Sequence, residues 1–527
     1  MSTFTIPEDA STVQPNVADL NAQQALAYHS VLAFVNSSSA ERQNFFFLYG
    51  HGGTGKTFLY KALVAHLKEL GKVVLVVASS GIAATLLPNA STAHSRFKIP
   101  LEIDHTSSCN IRKGTPLAQS IVDAYLIVWD EAPMVHRLSF EAVDRAFCDI
   151  MNVPFTGVHY KPFGGKTVLL GGDFRQTLPI VPDSGKEESV DSSLTRSYLW
   201  NSCMVLHLSE NMRVDSSSAN NQLDFHGMNF GRWTLSIGNG TMPARSFKEN
   251  QPADWVEIPE ALLIQTVGSP VQTMATEIYT DFQQRYHNIS YLTERSIITP
   301  TNRNVTEINA HMLALVPGTG RSYYSSDTLH TDAADSYRIE AEYPTEFLNG
   351  LSFNGYPEHN IELKVFTPVM LLRNLNPAIG LCNGTRLMVI YLGHYVIRGI
   401  IMGGTFSGKT VAIPRIVLNI NDHRWPFVLK RRQFPVRLCY AMTINKSQGQ
   451  TLQSVGVYLP KPVFSHGQLY VAVSRVRSAS GLRLLIINED GIPSKYTRNI
   501  VYQEALADLL DIADVAQVCL VFHNFLF

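Results

Sequence analysis

Residues 50–57 read Gly-His-Gly-Gly-Thr-Gly-Lys-Thr, and this stretch decides the fold of its part of the chain. An apolar run, 45–49, comes directly before it, and the apolar residues of 59–70 recur after it at helical spacing. The motif is therefore predicted to join a buried strand to a helix, which Gly71 ends in a left-handed turn. In this setting Gly-x-x-x-x-Gly-Lys-Thr is typical of a loop that holds the phosphates of a nucleoside triphosphate.

Each position of the loop has a chemical reason. Glycines let backbone N–H groups turn inward around phosphate, and the start of the helix adds partial positive charge. Lys56 is expected to reach the β- and γ-phosphates, and the hydroxyl of Thr57 to bind Mg²⁺. The predicted nucleotide-binding residues of the loop are Gly50, Gly52, Gly53, Thr54, Gly55, Lys56 and Thr57.

A second apolar run, 124–129, ends in Asp130-Glu131. Two carboxylates at the end of a buried strand, downstream of such a loop, are typical of the second half of an ATPase site. Asp130 is predicted to hold Mg²⁺ and Glu131 to orient the attacking water.

Length and composition bound the remaining possibilities. A chain of 527 residues is expected to divide into three or four compact units. Apolar stretches stay short of the roughly 18 residues that span a bilayer, so we expect a soluble protein without membrane contact. Six cysteines lie far apart in the sequence, which argues against structural zinc. Residues 1–21 contain no Lys or Arg, unlike a secretory or mitochondrial signal, and 1–19 are predicted to be a disordered lead-in.

The net charge of −1 does not by itself indicate a polyanion as partner. The charge is uneven, however, because residues 411–450 contain seven cations against the single acid Asp422. This basic patch is either a solvated face or a surface that binds a nucleic acid. Its cations are Arg415, Arg424, Lys430, Arg431, Arg432, Arg437 and Lys446.

The order of the patterns predicts the architecture. Four apolar runs (45–49, 73–77, 125–129 and 167–170) alternate with helical patterns, which favours a parallel sheet covered on both faces. The carboxyl ends of such strands form one edge, where ligands bind. A further strand-to-helix unit starts at 296–300. Between 345 and 435, short β-type runs with Asn-Gly and Gly-Gly turns predict a small antiparallel barrel; they are 363–366, 369–372, 387–392 and 411–413.

Several motifs resemble those of superfamily 1 helicases. Residues 441–452 and 469–477 are similar to motifs V and VI. Together with 20–24, 92–95, 172–179 and 210–213, they resemble the Pif (petite integration frequency) family of ATP-driven DNA helicases, which move 5′ to 3′ on single strands. The resemblance covers about 18–506. Residues 343–349 and 381–387 look most like the plant branch related to Helitron transposons.

The resemblance implies an α/β fold with two RecA-like P-loop NTPase domains, each a parallel sheet with helices on both faces, and a small inserted β-barrel-like subdomain. The first RecA-like domain is expected at 20–205. The second is expected to begin at 206–344 and to resume at 436–506, around the inserted subdomain at 345–435. The apolar stretch 507–527 is expected to be a C-terminal tail, which either adds a closing strand or is foreign to the parent fold.

The resemblance also assigns roles to single residues. Gln24 and Gly449 are assigned to the nucleotide, Gln176 to sensing the γ-phosphate, and Arg213 and Arg475 to stabilising charge on the transferring phosphoryl group as arginine fingers. The catalytic set is thus Lys56, Asp130, Glu131, Gln176, Arg213 and Arg475. For either arginine, a surface ion pair is the alternative. The residues assigned to DNA are Ser79, Ser80, Thr92, His94, Ser95, Asn302, Thr443 and Lys446.

Two departures from the family pattern stand out. Gln23 occupies a position where the family usually has Glu, and Gly231 and Thr234 weaken a helix at 230–235. The function implied is an ATP- and Mg²⁺-dependent DNA helicase, a monomeric motor on single-stranded and forked DNA. The nucleus is the expected location, with the mitochondrion as the alternative although no presequence is seen, and the expected role is in repair, recombination, telomere maintenance or transposition. The alternative is a non-unwinding, single-strand-binding ATPase remnant of a Helitron-type element.

Overall fold

The computed structural model describes residues 17–35, 44–157, 159–181, 184–212, 228–247, 252–266, 268–330, 342–422 and 424–510. They form two compact units, fewer than the length suggests. Unit A takes in the described residues of Pro7–Leu263, Ser447–Thr451 and Leu459–Phe527. Unit B takes in those of Ile264–Lys446 and Leu452–Tyr458. This division does not follow the predicted domain boundaries, which stay a prediction.

In unit A, the described residues up to Leu208 include the six strands of a parallel sheet. The order across it is β3-β2-β4-β5-β1-β6. All four predicted strands are confirmed, whereas β3 and β6 have no predicted counterpart. The strands are β1 (Phe45–Gly50), β2 (Val73–Ala78), β3 (Ser91–Thr92), β4 (Ala124–Asp130), β5 (Val168–Gly172) and β6 (Met204–Leu208).

Alternate residues of these strands enter two different hydrophobic cores. Phe45 and Phe47 pack on one face, and Phe46 and Leu48 on the other. Helices cover both faces, as predicted, because each face of a buried parallel sheet must be shielded from water. The helices are α1 (Ala22–Val35), α2 (Lys56–Glu69), α3 (Gly81–Thr85), α4 (Ala93–Phe97), α5 (Pro116–Asp123), α6 (Arg137–Met151) and α7 (Lys186–Asp191).

Helix ends in unit A follow from their capping residues. Gly71 has φ +70°, and Lys72 donates its N–H to the carbonyl of Leu67 at 2.9 Å, so Gly71 ends α2 as predicted. The next elements are α8 (Phe230–Asn239), β7 (Ala244–Arg245) and β8 (Trp255–Glu257). Although Gly231 and Thr234 are weak helix formers, α8 forms, because the side chain of Asn229 caps its first turn.

Unit B begins with helices and a second parallel sheet. Strand β9 (Arg295–Thr299) leads into α12 (Asn302–Leu315), which confirms the predicted strand-to-helix unit. Strands β20 (Ala441–Thr443) and β21 (Ser454–Leu459) pair with β9 in parallel. The earlier helices are α9 (Pro270–Ile278), α10 (Phe282–Arg285) and α11 (Ile289–Thr293).

The region inserted into unit B is antiparallel β, as predicted. A five-stranded sheet has the order β16-β15-β14-β13-β19, and β11-β18-β17 and β10-β12 form smaller sheets. The predicted run 363–366 is wrong, because β12 ends at Leu363 and Phe366 has a left-handed φ of +70°. The elements are β10 (Arg321–Tyr324), β11 (Ser326–His330), α13 (Thr345–Gly350), β12 (Asn360–Leu363), β13 (Pro368–Leu371), β14 (Arg386–Leu392), β15 (Val396–Ile401), β16 (Thr410–Pro414), β17 (Ile416–Asn421), β18 (Val428–Gln433) and β19 (Val436–Leu438).

The chain then returns to unit A. Here it forms α14 (Gln468–Val473), β22 (Leu482–Ile486), β23 (Tyr496–Arg498) and α15 (Gln503–Leu510). Strands β7, β8 and β23 make a small antiparallel sheet. Helix α15 includes the first residues of the predicted tail. The rest of that tail, most of the predicted lead-in and Arg213 lie outside the described residues.

Candidate nucleotide and nucleic-acid sites

The loop between β1 and α2 has the backbone of a phosphate cradle. Gly53 and Gly55 have φ values of +100° and +84°, which favour glycine. A Cβ on Gly55 would lie 2.2 Å from the side-chain nitrogen of Gln24. The ammonium group of Lys56 donates to the loop carbonyls of Gly50 and His51. Thr57 is half-buried in the first turn of α2. The predicted loop residues are therefore together, at the start of a 14-residue helix.

Gln24 braces this loop from α1. Its side-chain nitrogen donates to the Thr54 carbonyl at 3.0 Å. Its side-chain oxygen accepts the N–H of Asn21, while Asn21 accepts the N–H of Gln24 in return. Such a reciprocal pair caps the start of a helix. The buried Gln24 amide is thus engaged at both ends within unit A, and its role toward adenine stays a prediction.

Gln23, which departs from the family pattern, holds a different segment. Its amide donates to the hydroxyl of Ser209 at 2.8 Å and accepts the Ser209 N–H at 2.8 Å. Glutamate could accept the second bond but could not donate the first. The replacement therefore supplies a two-way link between α1 and the chain just after β6.

Asp130 and Glu131 lie side by side at the carboxyl end of β4, and both are buried. Burial, reinforced by the neighbouring Glu131 charge, raises the pKa of Asp130 well above its usual range, and the Lys56 charge opposes this shift. Glu131 has a left-handed φ of +54°, an uncommon conformation for a residue with a side chain. Two adjoining buried carboxylates, one of which interacts with the Lys56 charge, fit the oxygen ligands that Mg²⁺ prefers.

The segment after β5 is joined to two distant segments of unit A. The carboxylate of Asp173, which is 0% exposed, accepts the hydroxyl of Tyr470 at 2.8 Å. Gln448 donates its side-chain nitrogen to the side-chain oxygen of Gln176 at 3.3 Å and accepts the Thr177 hydroxyl at 3.0 Å. All of these groups are buried. The predicted phosphate sensor Gln176 therefore lies in a polar cluster with residues of 447–451 and α14.

Arg475 follows α14 and is 4% exposed. Its guanidinium donates to the carbonyls of Val471 at 2.8 Å and Gln450 at 3.2 Å, and to the Ser474 hydroxyl at 2.8 Å. Burial lowers its pKa, while the Glu131 charge acts in the opposite direction. The surface ion pair considered as an alternative is therefore wrong for Arg475. Its electrostatic interaction with Glu131 suits a group that stabilises charge on a transferring phosphoryl group.

The residues of unit A assigned to DNA follow the ends of the adjacent strands β2 and β3. Ser79 accepts the indole N–H of Trp129 at 3.0 Å, and Ser80 caps α3 by accepting the N–H of Ala83 at 3.2 Å. Both hydroxyls thus accept hydrogen bonds from nearby groups of the same unit. His94 and Ser95 lie on α4, which Thr92 precedes. Burial lowers the pKa of His94, so its imidazole is neutral at neutral pH.

The residues of unit B assigned to DNA also lie at strand ends. Thr443 ends β20 and pairs with Thr299, and Asn302 begins α12 just after β9. The basic patch, by contrast, is not one surface. Arg431 is fully buried against Asp327 at 2.7 Å, and Arg424 pairs with Asp422 at 2.6 Å. Residues 411–450 therefore include structural ion pairs as well as cations near the predicted DNA contacts.

Comparison with known proteins identifies the family. The family model for PIF1-like helicases matches residues 19–248, and that for the 2B domain of DNA helicase Pif1 matches 346–392. The chain belongs to the PIF1-like helicase family. It is 25% identical over 454 residues to "ATP-dependent DNA helicase PIF6" of Trypanosoma brucei brucei, covering 85% of this chain and 51% of the relative. It is 26% identical over 482 residues to human "ATP-dependent DNA helicase PIF1", covering 88% of this chain and 60% of the relative.

Solved structures support the fold of this PIF1-like chain. Pif1 helicase from Bacteroides, crystallised with ADP-AlF3 and ssDNA, has a TM-score of 0.63 at 21% identity and covers 92% of this chain and 96% of that one. Pif1 helicase from Candida albicans has a TM-score of 0.58 at 21% identity, and the match covers 94% of this chain and 99% of that one. The fold is RecA-like α/β, as predicted. The chain spans 51% to 62% of the length of the first three curated relatives.

Some residues of this PIF1-like chain have positions that sequence reasoning missed. His466 donates from Nε2 to the carbonyl of Phe174 at 2.8 Å and accepts the N–H of Tyr502 at 2.8 Å. Gly467 has φ +70°, and a Cβ there would lie 2.3 Å from the Arg175 carbonyl oxygen. Both residues lie just before the motif at 469–477, but nothing in the sequence shows that their partners are in 174–176.

Two searches of the described ranges complete the site. No helix there is both long and apolar enough to cross a membrane. Nor do three or more His, Cys, Asp or Glu side chains within them come together as a metal site. Structural zinc therefore gains no support there, and its predicted absence stays a prediction.

Proposed function

We propose that this PIF1-like chain is an ATP-dependent DNA helicase that moves 5′ to 3′ on single-stranded DNA and unwinds duplex DNA. The observation that carries the proposal is that, within unit A, the Lys56 charge acts on Asp130 and the Glu131 charge acts on buried Arg475, with Gln176 in the same unit. These groups come from segments more than 400 residues apart and match the parts of a phosphoryl-transfer site.

Each residue has a task in this proposal. Lys56 and the loop N–H groups bind the triphosphate, and Glu131 orients water for attack on the γ-phosphate. Arg475 stabilises the charge that develops on the transferred group, a role worth roughly 10³–10⁵ in rate in other enzymes of this chemistry. Mg²⁺, held by Thr57 and Asp130, would neutralise phosphate charge. Arg213 would be the second arginine finger, on the resemblance alone.

Hydrolysis reaches the rest of unit A through polar contacts. Gln176 bonds to Gln448, and Asp173 in the same segment bonds to Tyr470 of α14. A phosphate oxygen only accepts hydrogen bonds, so a γ-phosphate would bind the side-chain nitrogen of Gln176 while its oxygen keeps the bond from Gln448. Gln176 would thus link the nucleotide to 447–451, and Asp173 would link the same segment to α14.

Single-stranded and forked DNA are the proposed substrates. One similar solved structure is Bacteroides Pif1 bound to ssDNA, and another concerns DNA unwinding at forked dsDNA by two coordinating Pif1 helicases. The candidate contacts in each unit are mainly short hydroxyl and amide side chains, which suit phosphate contact and therefore sequence-independent binding. A monomeric motor and a nuclear location remain part of the proposal and rest on the family resemblance.

The test compares ATP turnover and strand separation. We expect single-stranded DNA to stimulate ATP hydrolysis, and a duplex with a 5′ tail to be unwound. Lys56→Ala and Glu131→Gln should abolish both, whereas Glu260→Gln, at an exposed position of unit A, should change neither. Equal unwinding from a 3′ tail would refute the direction. DNA binding without stimulation of turnover would favour the non-unwinding remnant.

A further inference from the structure

Two arginines of unit B, neither in the predicted DNA set, lie close to one of its members. Arg437 donates from Nη1 to the side-chain oxygen of Asn302 at 2.9 Å and from Nη2 to the hydroxyl of Thr306 at 3.0 Å. Both partners are neutral and exposed. The guanidinium is therefore fixed in orientation while these bonds leave its charge in place. Glu358 is a carboxylate whose charge also acts on it.

Arg373 is held in the same way. Its Nη1 donates to the carbonyls of Gly355 at 2.7 Å and Leu372 at 2.8 Å, and its guanidinium carbon lies 4.0 Å from the centre of the Tyr356 ring. Segment 354–356 links the two arginines, because the Asn302 side chain donates to that of Asn354 at 3.0 Å. Arg373 and Arg437 therefore flank one short, connected stretch of polar groups.

Lys446 brings a third positive charge to this stretch. It is exposed to solvent, yet partial desolvation and the charges of Arg373 and Arg437 all lower its pKa. Like charges repel each other, so holding these three interacting cations together costs free energy that a bound anion recovers.

We propose that Arg373 and Arg437, together with Lys446, bind successive phosphodiester groups of a single-stranded nucleic acid. The inference rests on the proposed function, in which these side chains of unit B would bind the backbone of the strand. Three cations exceed the charge of one phosphodiester, which favours a polyanion over a single small anion. Guanidinium groups held by neutral acceptors keep their charge for phosphate, to which arginine can offer two parallel donors.

Other arginines of unit B provide the contrast. Arg431 forms an ion pair with buried Asp327, and Arg424 forms one with Asp422. The difference lies in the partner, since a carboxylate neutralises the guanidinium whereas a carbonyl, an amide or a hydroxyl does not. This separates the proposed phosphate-binding arginines from the structural arginines of the same unit.

The test measures how salt weakens binding of the full chain to an oligodeoxythymidine. Each phosphate contact on a single strand adds about 0.7 to the slope of log K against log salt concentration. Arg373→Gln and Arg437→Gln should each lower that slope by about 0.7 between about 50 and 200 mM salt. Arg424→Gln is the matched control and should leave it unchanged, while Arg373→Lys and Arg437→Lys should keep most of it.

An oligouridine serves as a second ligand. Equal loss of slope on both strands would assign the contact to the phosphodiester that they share, and loss on DNA alone would overturn that assignment. An unchanged slope in both glutamine variants, with wild-type melting temperatures, would overturn the proposal but leave the helicase function standing. If the wild-type chain bound no single strand, the proposed function itself would fail. Should Arg373→Gln not fold, Arg437→Gln and the two lysine variants still decide the matter.

Discussion

Gly467→Ala tests whether close backbone packing positions the segment that carries Gln176. Gly467 is buried and has φ +70°, and an added Cβ would lie 2.3 Å from the Arg175 oxygen and 2.6 Å from the Gln176 carbonyl carbon. Cβ atoms essentially never approach other heavy atoms closer than 3.0 Å, so the two backbones must separate by about 0.7 Å. Neither neighbour is a flexible side chain that could turn away.

Two costs add at this position, and a second glycine separates them. Alanine in a left-handed conformation costs about 1–2 kcal/mol, and forced overpacking costs about 1–3 kcal/mol more. Gly491 has φ +77° in the same unit, with nothing within 4 Å of its added Cβ. Gly491→Ala therefore carries only the first cost. Unit A of Gly467→Ala should melt about 2–12 °C below the Gly491→Ala protein.

The assay combines melting with enzyme kinetics. Trp129, Trp200, Trp233 and Trp255 belong to unit A, so four of the five tryptophans report its unfolding by fluorescence. In Gly467→Ala we expect kcat for DNA-stimulated ATP turnover to fall roughly tenfold to hundredfold, because displacements near 1 Å have such effects. KM for ATP should change little, since the loop at 50–57 is untouched. Equal melting and equal kcat in the two alanine variants would refute the reasoning.

Two further variants test buried polar groups. Arg431→Met should lower the free energy of unfolding of unit B by about 3–5 kcal/mol, because it leaves the buried Asp327 carboxylate without its partner. Arg432→Met, on the exposed side of the same strand, should lower it by about 0.5 kcal/mol or less. The fluorescence of Trp425 reports the unfolding of both variants, and equal effects would contradict the role of the ion pair. Burial lowers the pKa of His466 to about 4, whereas in the unfolded chain its pKa is about 6.5. As pH falls below about 6.5, the imidazole is therefore protonated in the unfolded chain but not in the folded one, and the free energy of unfolding falls by about 2 kcal/mol by pH 5. His466→Gln should remove this component of the pH dependence in chemical unfolding, and a variant that kept it would show that another group is responsible.

The sequence was informative about the fold wherever a local pattern sufficed. The runs at 45–49, 73–77, 125–129 and 167–170 are continuous and apolar because their strands are buried on both faces, and all four are strands. Strand β3 is only Ser91–Thr92, too short and too polar for any pattern to indicate. The run at 363–366 misled because Phe366 adopts a left-handed turn that its residue type disfavours.

For the site, prediction succeeded where the chemistry is contiguous in sequence. The loop at 50–57 and the pair at 130–131 could be located because each is a short motif at the end of a strand. The partners of Gln24 could not, since its bond to the Thr54 carbonyl depends on how α1 packs. Tyr470 and His466 likewise bond to groups 297 and 292 residues away in sequence, and no local pattern indicates such a bond.

Unit A thus combines two kinds of contact around the segment 173–177. Its packing against Gly467 is steric, and any movement there carries α14 with it, because the Gly467 carbonyl accepts the Val471 N–H at 2.8 Å and Gly467 precedes that helix. The contact of Gln176 with Gln448, in contrast, is one amide hydrogen bond, with a net worth of about 1 kcal/mol. A charge-assisted bond to phosphate is roughly twice as strong. Because phosphate oxygens only accept hydrogen bonds, the proposed contact with a γ-phosphate would use the Gln176 side-chain nitrogen and leave the weaker bond from Gln448 to the Gln176 oxygen in place. A movement of Gln176 toward phosphate would then be passed to 447–451 through that bond and to α14 through the steric contact.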